Sequence, residues 1–196
     1  MPSREDVRMR NHRQDVIDRA FDVLDRYGLA DLTMRRLGAE LGVRPSALYH
    51  HFADKQSLLA AVADELLARG ARPVAAGEWD ARVTSICAGL REALLAYRDG
   101  AELVATVRAF GLGATGPYDA LRDSLAQAGL DPALAATAAD TLLHFVLGHT
   151  LDEQTHLQAG SAGAIADDPR PASDFALGLA IVVDGIGVRV REAARR

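Results

Sequence analysis

Apolar residues recur at steps of three and four along most of this chain. Val16, Ile17, Ala20, Phe21 and Leu24 form the first such run; the spacing stacks them on one face of an α-helix. Tyr27-Gly28 ends it with a residue suited to a left-handed cap. Thr33 predicts a cap for a short helix carrying Leu37 and Leu41, which Gly42 stops. Pro45 suits a first helical turn and opens a short helical segment over residues 46–51. Asp54 caps a fourth helix, with Leu58, Leu59, Val62 and Leu66 on its apolar face, running to about Gly70. Residues 71–77 read as a hinge between two regions.

The pattern stays helical beyond the hinge. Residues 79–98 carry Val83, Ile86, Leu90 and Leu94, and Asp99-Gly100 breaks the run. A short helix over 101–110 is followed by a glycine-rich loop at 111–117 and a helix over 118–128. Asp131-Pro132 starts a long helix reaching Gln158. Residues 159–172 lack periodicity and read as a loop, after which Ser173 or Asp174 caps a last helix to about Ala193. No alternating strand pattern and no internal repeat interrupts this series, so the expected fold is all-α.

Composition reinforces that expectation. The chain holds 37 Ala and 26 Leu among 196 residues, and these two are the strongest helix formers. A single cysteine, Cys87, excludes an intramolecular disulfide framework and a cysteine-based zinc finger, which points to a reducing, cytoplasmic compartment. No run approaches the roughly 18 uncharged apolar residues of a membrane span; the best candidate, residues 175–188, is interrupted by Asp184. The charged start of the chain carries no secretory signal pattern.

Charge changes the picture more. The net charge of −5 argues against nucleic acid as a partner until it is divided. Residues 1–60 hold 10 basic and 9 acidic side chains, whereas residues 61–196 hold 12 and 18. The acidity therefore belongs to the later part, and the first third is where a nucleic-acid contact is to be sought.

That third contains TMRRLGAELGVRPSALYHHFADKQSLL, residues 33–59. It reads as helix, tight turn at Gly42, helix, with Leu37, Leu41, Val43 and Leu48 supplying the apolar contact. The opposite face of the second segment presents Arg44, Ser46, Ala47, Tyr49, His50 and His51, with no carboxylate among them. A helix with such a face fits a DNA major groove, where these groups meet base edges, thymine methyls and phosphates. Lys55 and the free N–H groups at the start of the next helix favour a phosphate. Arg4, Arg8, Arg10 and Arg13 form a basic arm ahead of the first helix.

The same residues carry a family resemblance. T-M-R-R-L-G-A-E-L-G-V followed by L-Y-x-H-F-x-x-K-x-x-L-L resembles the DNA-binding signature of the TetR family of one-component regulators. The resemblance implies a three-helix DNA-binding head over residues 1–54, a linking helix over 55–70, and a ligand-binding, dimer-forming helical body over 71–196. It places Thr33 and Arg35 at the start of the helix before the turn. Arg44, Ser46, Ala47, Tyr49, His50 and His51 fall on the recognition helix, and Lys55 on a phosphate. Trp79, LREALLAYRDGA (90–101), HFVLGHTLDEQTH (144–156) and FALGLAIVVDGI (175–186) resemble the body of the tetracycline-repressor branch. Several drug-reading positions of that branch differ here. Ile86 stands for an asparagine, Val104 for a magnesium-ligating histidine and Asp152 for a glutamate, while Arg108 is retained. A more apolar effector is expected, held by Ile86, Leu90, Val104, Val107, Arg108, Phe110 and Tyr118, with His144, His149 and Asp152 contributing from the long helix. No cofactor is expected.

Two inferences stand on spacing alone. Ala135, Ala138, Leu142, Phe145, His149, Asp152 and His156 share one face of the long helix. His149 and Asp152 read either as hydrogen-bonded interface residues or as candidate metal ligands. Glycines at 178, 185 and 187 within an apolar helix predict close approach of another helix. Together these helices predict a homodimer, hence a roughly palindromic double-stranded operator; the resemblance adds that a small-molecule effector releases it. The competing readings are a metal-dependent helical enzyme using His149, Asp152 and His156, and a helical interaction module.

Overall fold

The computed structural model describes residues 4–74, 76–163 and 174–195, with side chains from Arg13 onward. Nine helices and no strand occur among the described residues: α1 (Arg4–Tyr27), α2 (Met34–Leu41), α3 (Pro45–Leu48), α4 (Lys55–Gly70), α5 (Trp79–Leu95), α6 (Gly100–Ala109), α7 (Gly116–Gln127), α8 (Pro132–Ser161) and α9 (Phe175–Ala193). The loop expected over 159–172 lies largely outside the described residues, and α8 runs three residues into its start.

They pack as two compact units. The first comprises residues up to Arg69 together with Ala96–Ala114; the second comprises Gly70–Leu95 and the residues from Thr115 onward. The polypeptide therefore passes between the units after residues 69, 95 and 114. Helix α6 is remote in sequence from α1–α4 yet belongs to the same packing unit.

In the first unit, Ile17, Ala20, Phe21 and Leu24 of α1, Leu37 of α2, Leu58, Val62 and Leu66 of α4, and Leu103, Val104 and Val107 of α6 are buried. Thr33 caps α2 as expected, its Oγ1 accepting the Arg36 N–H at 3.1 Å. Gly42 ends the helix at φ 68°, where an L side chain is strained. The expected basic arm is not an extension ahead of the first helix. Helix α1 begins at Arg4 and takes those arginines into its first turns, because no proline or glycine lies between Arg4 and Val16 to stop the helix.

The second unit is built on α5, α7, α8 and α9. Leu90 and Leu94, Leu121 and Leu125, Leu142 and Val146, and Leu179 and Val183 contribute its core. Asp131 and Asp174 cap α8 and α9 through backbone N–H groups of Leu134 and Leu177, both at 3.0 Å. Arg91 of α5 and Glu153 of α8 form a two-pronged ion pair at 2.7–3.1 Å. The same guanidinium lies 5.0 Å over the Phe175 ring of α9.

The three glycines of α9 separate on inspection. A Cβ at Gly178 would lie 2.8 Å from the Phe145 ring, and one at Gly187 would meet Arg191 and Trp79. The close approach expected at these two positions comes from side chains of the same chain. Gly185 faces open space.

Candidate nucleic-acid interface

The helix-turn-helix is assembled around the turn between α2 and α3. The Val43 N–H reaches back to the Gly38 carbonyl at 2.9 Å, and a Cβ on Gly38 would sit 2.9 Å from the Val43 carbonyl oxygen. Glycine at position 38 is thus what lets the two segments cross so closely. Leu48 and Phe52 are each 2% exposed and anchor the second segment from below. Arg13 of α1 lies 4.9 Å over the Phe52 ring, a cation–π contact that ties the first helix to it.

The second segment is shorter as regular helix than its sequence pattern suggests. α3 ends at Leu48, and residues 49–51 continue as turns. Residues 49–53 lead without regular helix to Asp54, the cap of the next helix. The outward face survives this change. Arg44, Ser46 and His50 are exposed, Tyr49 is 51% exposed, and Ala47 and His51 are half-buried. Every described side chain on this face is cationic, small, hydroxylic or a ring.

The flanking positions divide by role. Arg35 is exposed on α2. Thr33 is half-buried, and its hydroxyl is engaged in capping. Lys55 begins α4 beside a reciprocal cap in which Ser57 N–H donates to Asp54 Oδ1 at 2.7 Å and Asp54 N–H donates to Ser57 Oγ at 3.2 Å. The Ser57 backbone N–H, and next its hydroxyl, hold the Asp54 carboxyl below its ordinary pKa. Arg36 is turned away from the face: it bonds Asp31 at 3.3 Å and lies 4.1 Å over the Tyr27 ring.

The residues expected to hold an effector fall in both units. In the first, Val104 and Val107 are buried, Arg108 is half-buried with Nη1 3.5 Å from the Ala114 carbonyl oxygen, and Phe110 is 61% exposed. In the second, Leu90 is buried, Ile86 and Tyr118 are half-buried, and His144 is exposed. His149 is half-buried against two rings, 5.8 Å from the Phe145 centroid and 5.1 Å from that of Phe175. Asp152 is exposed one turn further along α8. Among the described residues, no three His, Cys, Asp or Glu side chains gather as a metal ion requires. A groove of about 570 Å³ does open in this unit, between α5 and α9 over Thr84, Ser85, Phe175, Leu179 and Val183, and none of the expected ligand residues lines it.

Sequence reasoning passed over the residues that brace the first unit. Asp99 accepts the Leu29 N–H, Asp25 accepts the Arg98 N–H, and Asp64 accepts the Ala114 N–H. Arg69 of α4 bonds Glu65 at 2.9 Å and also Asp18 of α1, and lies 4.3 Å over the Phe21 ring. Burial opposes its charge, yet the hydrogen bonds it shares with Glu65, Tyr97 and Asp18, donated to the two carboxylates, raise its pKa above the ordinary arginine value. An aspartate on an exposed helical face looks like solvated charge until its partner, tens of residues away, is known.

A helix-turn-helix with a carboxylate-free outward face, joined to a larger helical unit, defines a one-component DNA-binding regulator. Two family profiles match: "Bacterial regulatory proteins, tetR family" over residues 16–62, and "Tetracyclin repressor-like, C-terminal domain" over residues 73–171. The chain belongs to the TetR family. It is 34% identical over 194 residues to the tetracycline repressor protein class A from transposon 1721 of Escherichia coli, with 89% of each chain covered. Its fold is similar to that of Mycobacterium smegmatis BioQ, with TM-score 0.81, 41% identity and coverage of 90% of this chain and 98% of that one. BioQ has also been solved with its double-stranded DNA operator, at TM-score 0.79, 41% identity and coverage of 89% and 97%. Streptomyces coelicolor ActR in complex with (S)-DNPA is similar at TM-score 0.71 and 28% identity, covering 89% of this chain and 96% of that one. Family membership makes the chain a regulator and not the metal-dependent enzyme that His149, Asp152 and His156 suggested as an alternative.

Proposed function

We propose that this chain is a dimeric transcriptional repressor that binds a palindromic operator duplex and is released from it by a small molecule. The observation that carries the reading is the outward face from Arg44 to His51, free of carboxylates and set on the buried anchors Leu48 and Phe52. Arg44, Ser46, Ala47, Tyr49, His50 and His51 read the major groove. Arg35, Lys55 and the N-terminal end of α2 capped by Thr33 engage phosphates. BioQ, solved with its operator, supports this assignment.

The head spans residues 1–54, with α4 as its link to a body over residues 71–196. Ile86, Leu90, Val104, Val107, Arg108, Phe110, Tyr118, His144, His149 and Asp152 contact the effector. The apolar share of this set favours a less polar compound than a tetracycline–magnesium complex, and ActR with (S)-DNPA is a relative bound to a small molecule. Dimerisation uses α8 and α9, where Leu151, Leu177, Ile181 and Val188 stand exposed and Gly148 and Gly185 leave open space for a neighbour. No described helix is long and apolar enough to cross a membrane, and the chain acts in the cytoplasm, where its operator lies.

Selection of duplexes from a random pool by the purified protein tests the reading. The expected result is a two-fold symmetric sequence whose binding weakens steeply with added salt. A pool that shows no enrichment, or binding insensitive to salt, overturns it.

A further inference from the structure

We propose that the groove between α5 and α9 is a binding site for a small apolar cation, such as an aryl-substituted ammonium ion. It is separate from the positions expected to hold the effector, and the inference does not depend on the DNA-binding reading.

The groove follows from how the two helices meet. Trp79 at the start of α5 lies beside Gly187 late in α9, and Arg91 late in α5 lies over Phe175 at the start of α9. The helices therefore run antiparallel. Between those two contacts the facing positions carry short side chains: Ala81, Thr84 and Ala88 on α5, Ala176 and Ala180 on α9. Groups this small do not close the space, and a groove of about 570 Å³ remains. Small-molecule sites typically measure about 300–1,000 Å³. The floor is apolar, with Leu179 only 2% and Val183 8% exposed.

The chemistry changes along the length of the groove. The antiparallel pairing sets Asp80 and Asp184, both exposed, at one end. The other end is the Phe175 ring, stacked on Phe145 with centroids 5.5 Å apart. Among the described residues no lysine, arginine or histidine lines the groove, so nothing in the lining offsets the two carboxylates. Arg91, paired with Glu153, stands beyond the aromatic end. A positive charge is thus drawn to one end only, and rings to the other. Carboxylates beside apolar surface attract a cation more strongly than in open water, because the local dielectric is lower. An anion meets two like charges, and a neutral molecule gains only the floor. Asp80 and Ala88 are eight residues apart, about 12 Å at 1.5 Å per residue, which is room for two rings and an ammonium group.

The groove also faces away from the expected effector positions on the same helix. At about 100° per residue, Ala81, Thr84 and Ala88 lie about 140–160° round α5 from Ile86. One helix therefore offers two faces to two different small molecules.

The test is calorimetric titration of the full-length protein with phenylbenzylamine, a cation at pH 7, and with phenylbenzyl alcohol, its neutral counterpart. The amine is expected to bind at least tenfold more tightly than the alcohol. Replacing both carboxylates, Asp80→Asn with Asp184→Asn, should bring the amine to within twofold of the alcohol and leave the alcohol unchanged. Ala180→Leu puts a strong helix former at an exposed helical position and fills the groove. It should weaken both compounds at least tenfold, with helical content and mass in solution unchanged. Equal binding of amine and alcohol by wild type overturns the proposal, as does no binding of the amine. Amine binding that survives Ala180→Leu lies elsewhere on the protein and overturns it too. If wild type binds neither compound and Ala180→Leu halves the mass in solution, the groove holds a second copy of the chain and not a small cation.

Discussion

The Asp99 carboxylate accepts the backbone N–H of Leu29 at 2.8 Å, across 70 residues of sequence. One residue earlier, the Arg98 N–H donates to Asp25 Oδ1 at 3.2 Å, so the end of α1 and the turn before α6 clasp one another in both directions. Asp99 itself stands at φ 54°, and a Cβ on Gly28 would lie 2.7 Å from its Oδ2. Phe21 and Tyr97, with ring centroids 4.6 Å apart, close the same seam.

Asp99→Ala removes the acceptor for the Leu29 N–H, which is nearly buried. The expected cost is about 1–3 kcal/mol, the penalty for a part-buried donor left without its partner. Denaturant melts of the variant against wild type check it, and an unchanged midpoint would show that water replaces the carboxylate without loss.

Gln154 is 5% exposed on α8, and its Nε2 donates to the Leu94 carbonyl in the last turn of α5 at 2.9 Å. Helix ends leave carbonyls unpaired, and this side chain satisfies one of them in the core. Gln154→Leu keeps most of the volume and strands that carbonyl, so a loss of about 1–3 kcal/mol is expected. Thermal unfolding of the two proteins decides it.

Tyr49→Ala and Arg44→Ala alter exposed side chains whose removal leaves Leu48 and Phe52 in place. Helical content and dimer mass should match wild type, while binding of the selected duplex should fall at least tenfold, about 1.4 kcal/mol or more. Arg44→Ala should also lower the salt slope by about one unit if its contact is to a phosphate. Gel-shift titrations at several salt concentrations separate the two effects.

Asp54 has a carboxyl pKa below its ordinary value, chiefly through the Ser57 backbone N–H. A group with a lowered native pKa stabilises the fold above its unfolded pKa and loses that contribution as pH falls through the native value. The wild-type melting temperature should therefore drop between pH 6 and pH 3 by more than that of Asp54→Asn, which caps but does not titrate. Equal drops would remove Asp54 from the acid response.

Cys87 is fully buried on α5, and burial alone pushes its thiol pKa up to about 12. At pH 8 the native protein should leave a thiol reagent unreacted over hours and consume one equivalent once denatured. Rapid labelling of the folded protein would show that α5 opens on that timescale.

The short-range part of this structure was legible in the sequence. The caps at Thr33 and Asp131, the stop at Gly42, and the apolar faces of α1 and α4 all follow from chemistry within a few residues, and the structure has them where that chemistry puts them; on α8 the buried face runs instead through Leu143, Val146, Thr150 and Gln154. The outward face from Arg44 to His51 was legible too, because its evidence is local: which side chains stand together, and that none is a carboxylate. Its helix proved shorter than its spacing suggests, since periodicity does not distinguish a helical turn from the irregular turns that follow Leu48.

Pairings at long range were not legible. Nothing near Asp64, Asp99 or Gln154 distinguishes them from ordinary polar residues; each takes its role from a backbone group 50 to 70 residues away. The grouping of α6 with α1–α4 is of the same kind. The glycines of α9 make the point in reverse: the sequence called for close neighbours there, and tertiary packing decided that Phe145 and Trp79 supply two of them. Local chemistry determines which segments become helices and which faces turn apolar. Which backbone group meets which side chain is decided only when those helices pack, because that contact depends on the summed path of every residue between them.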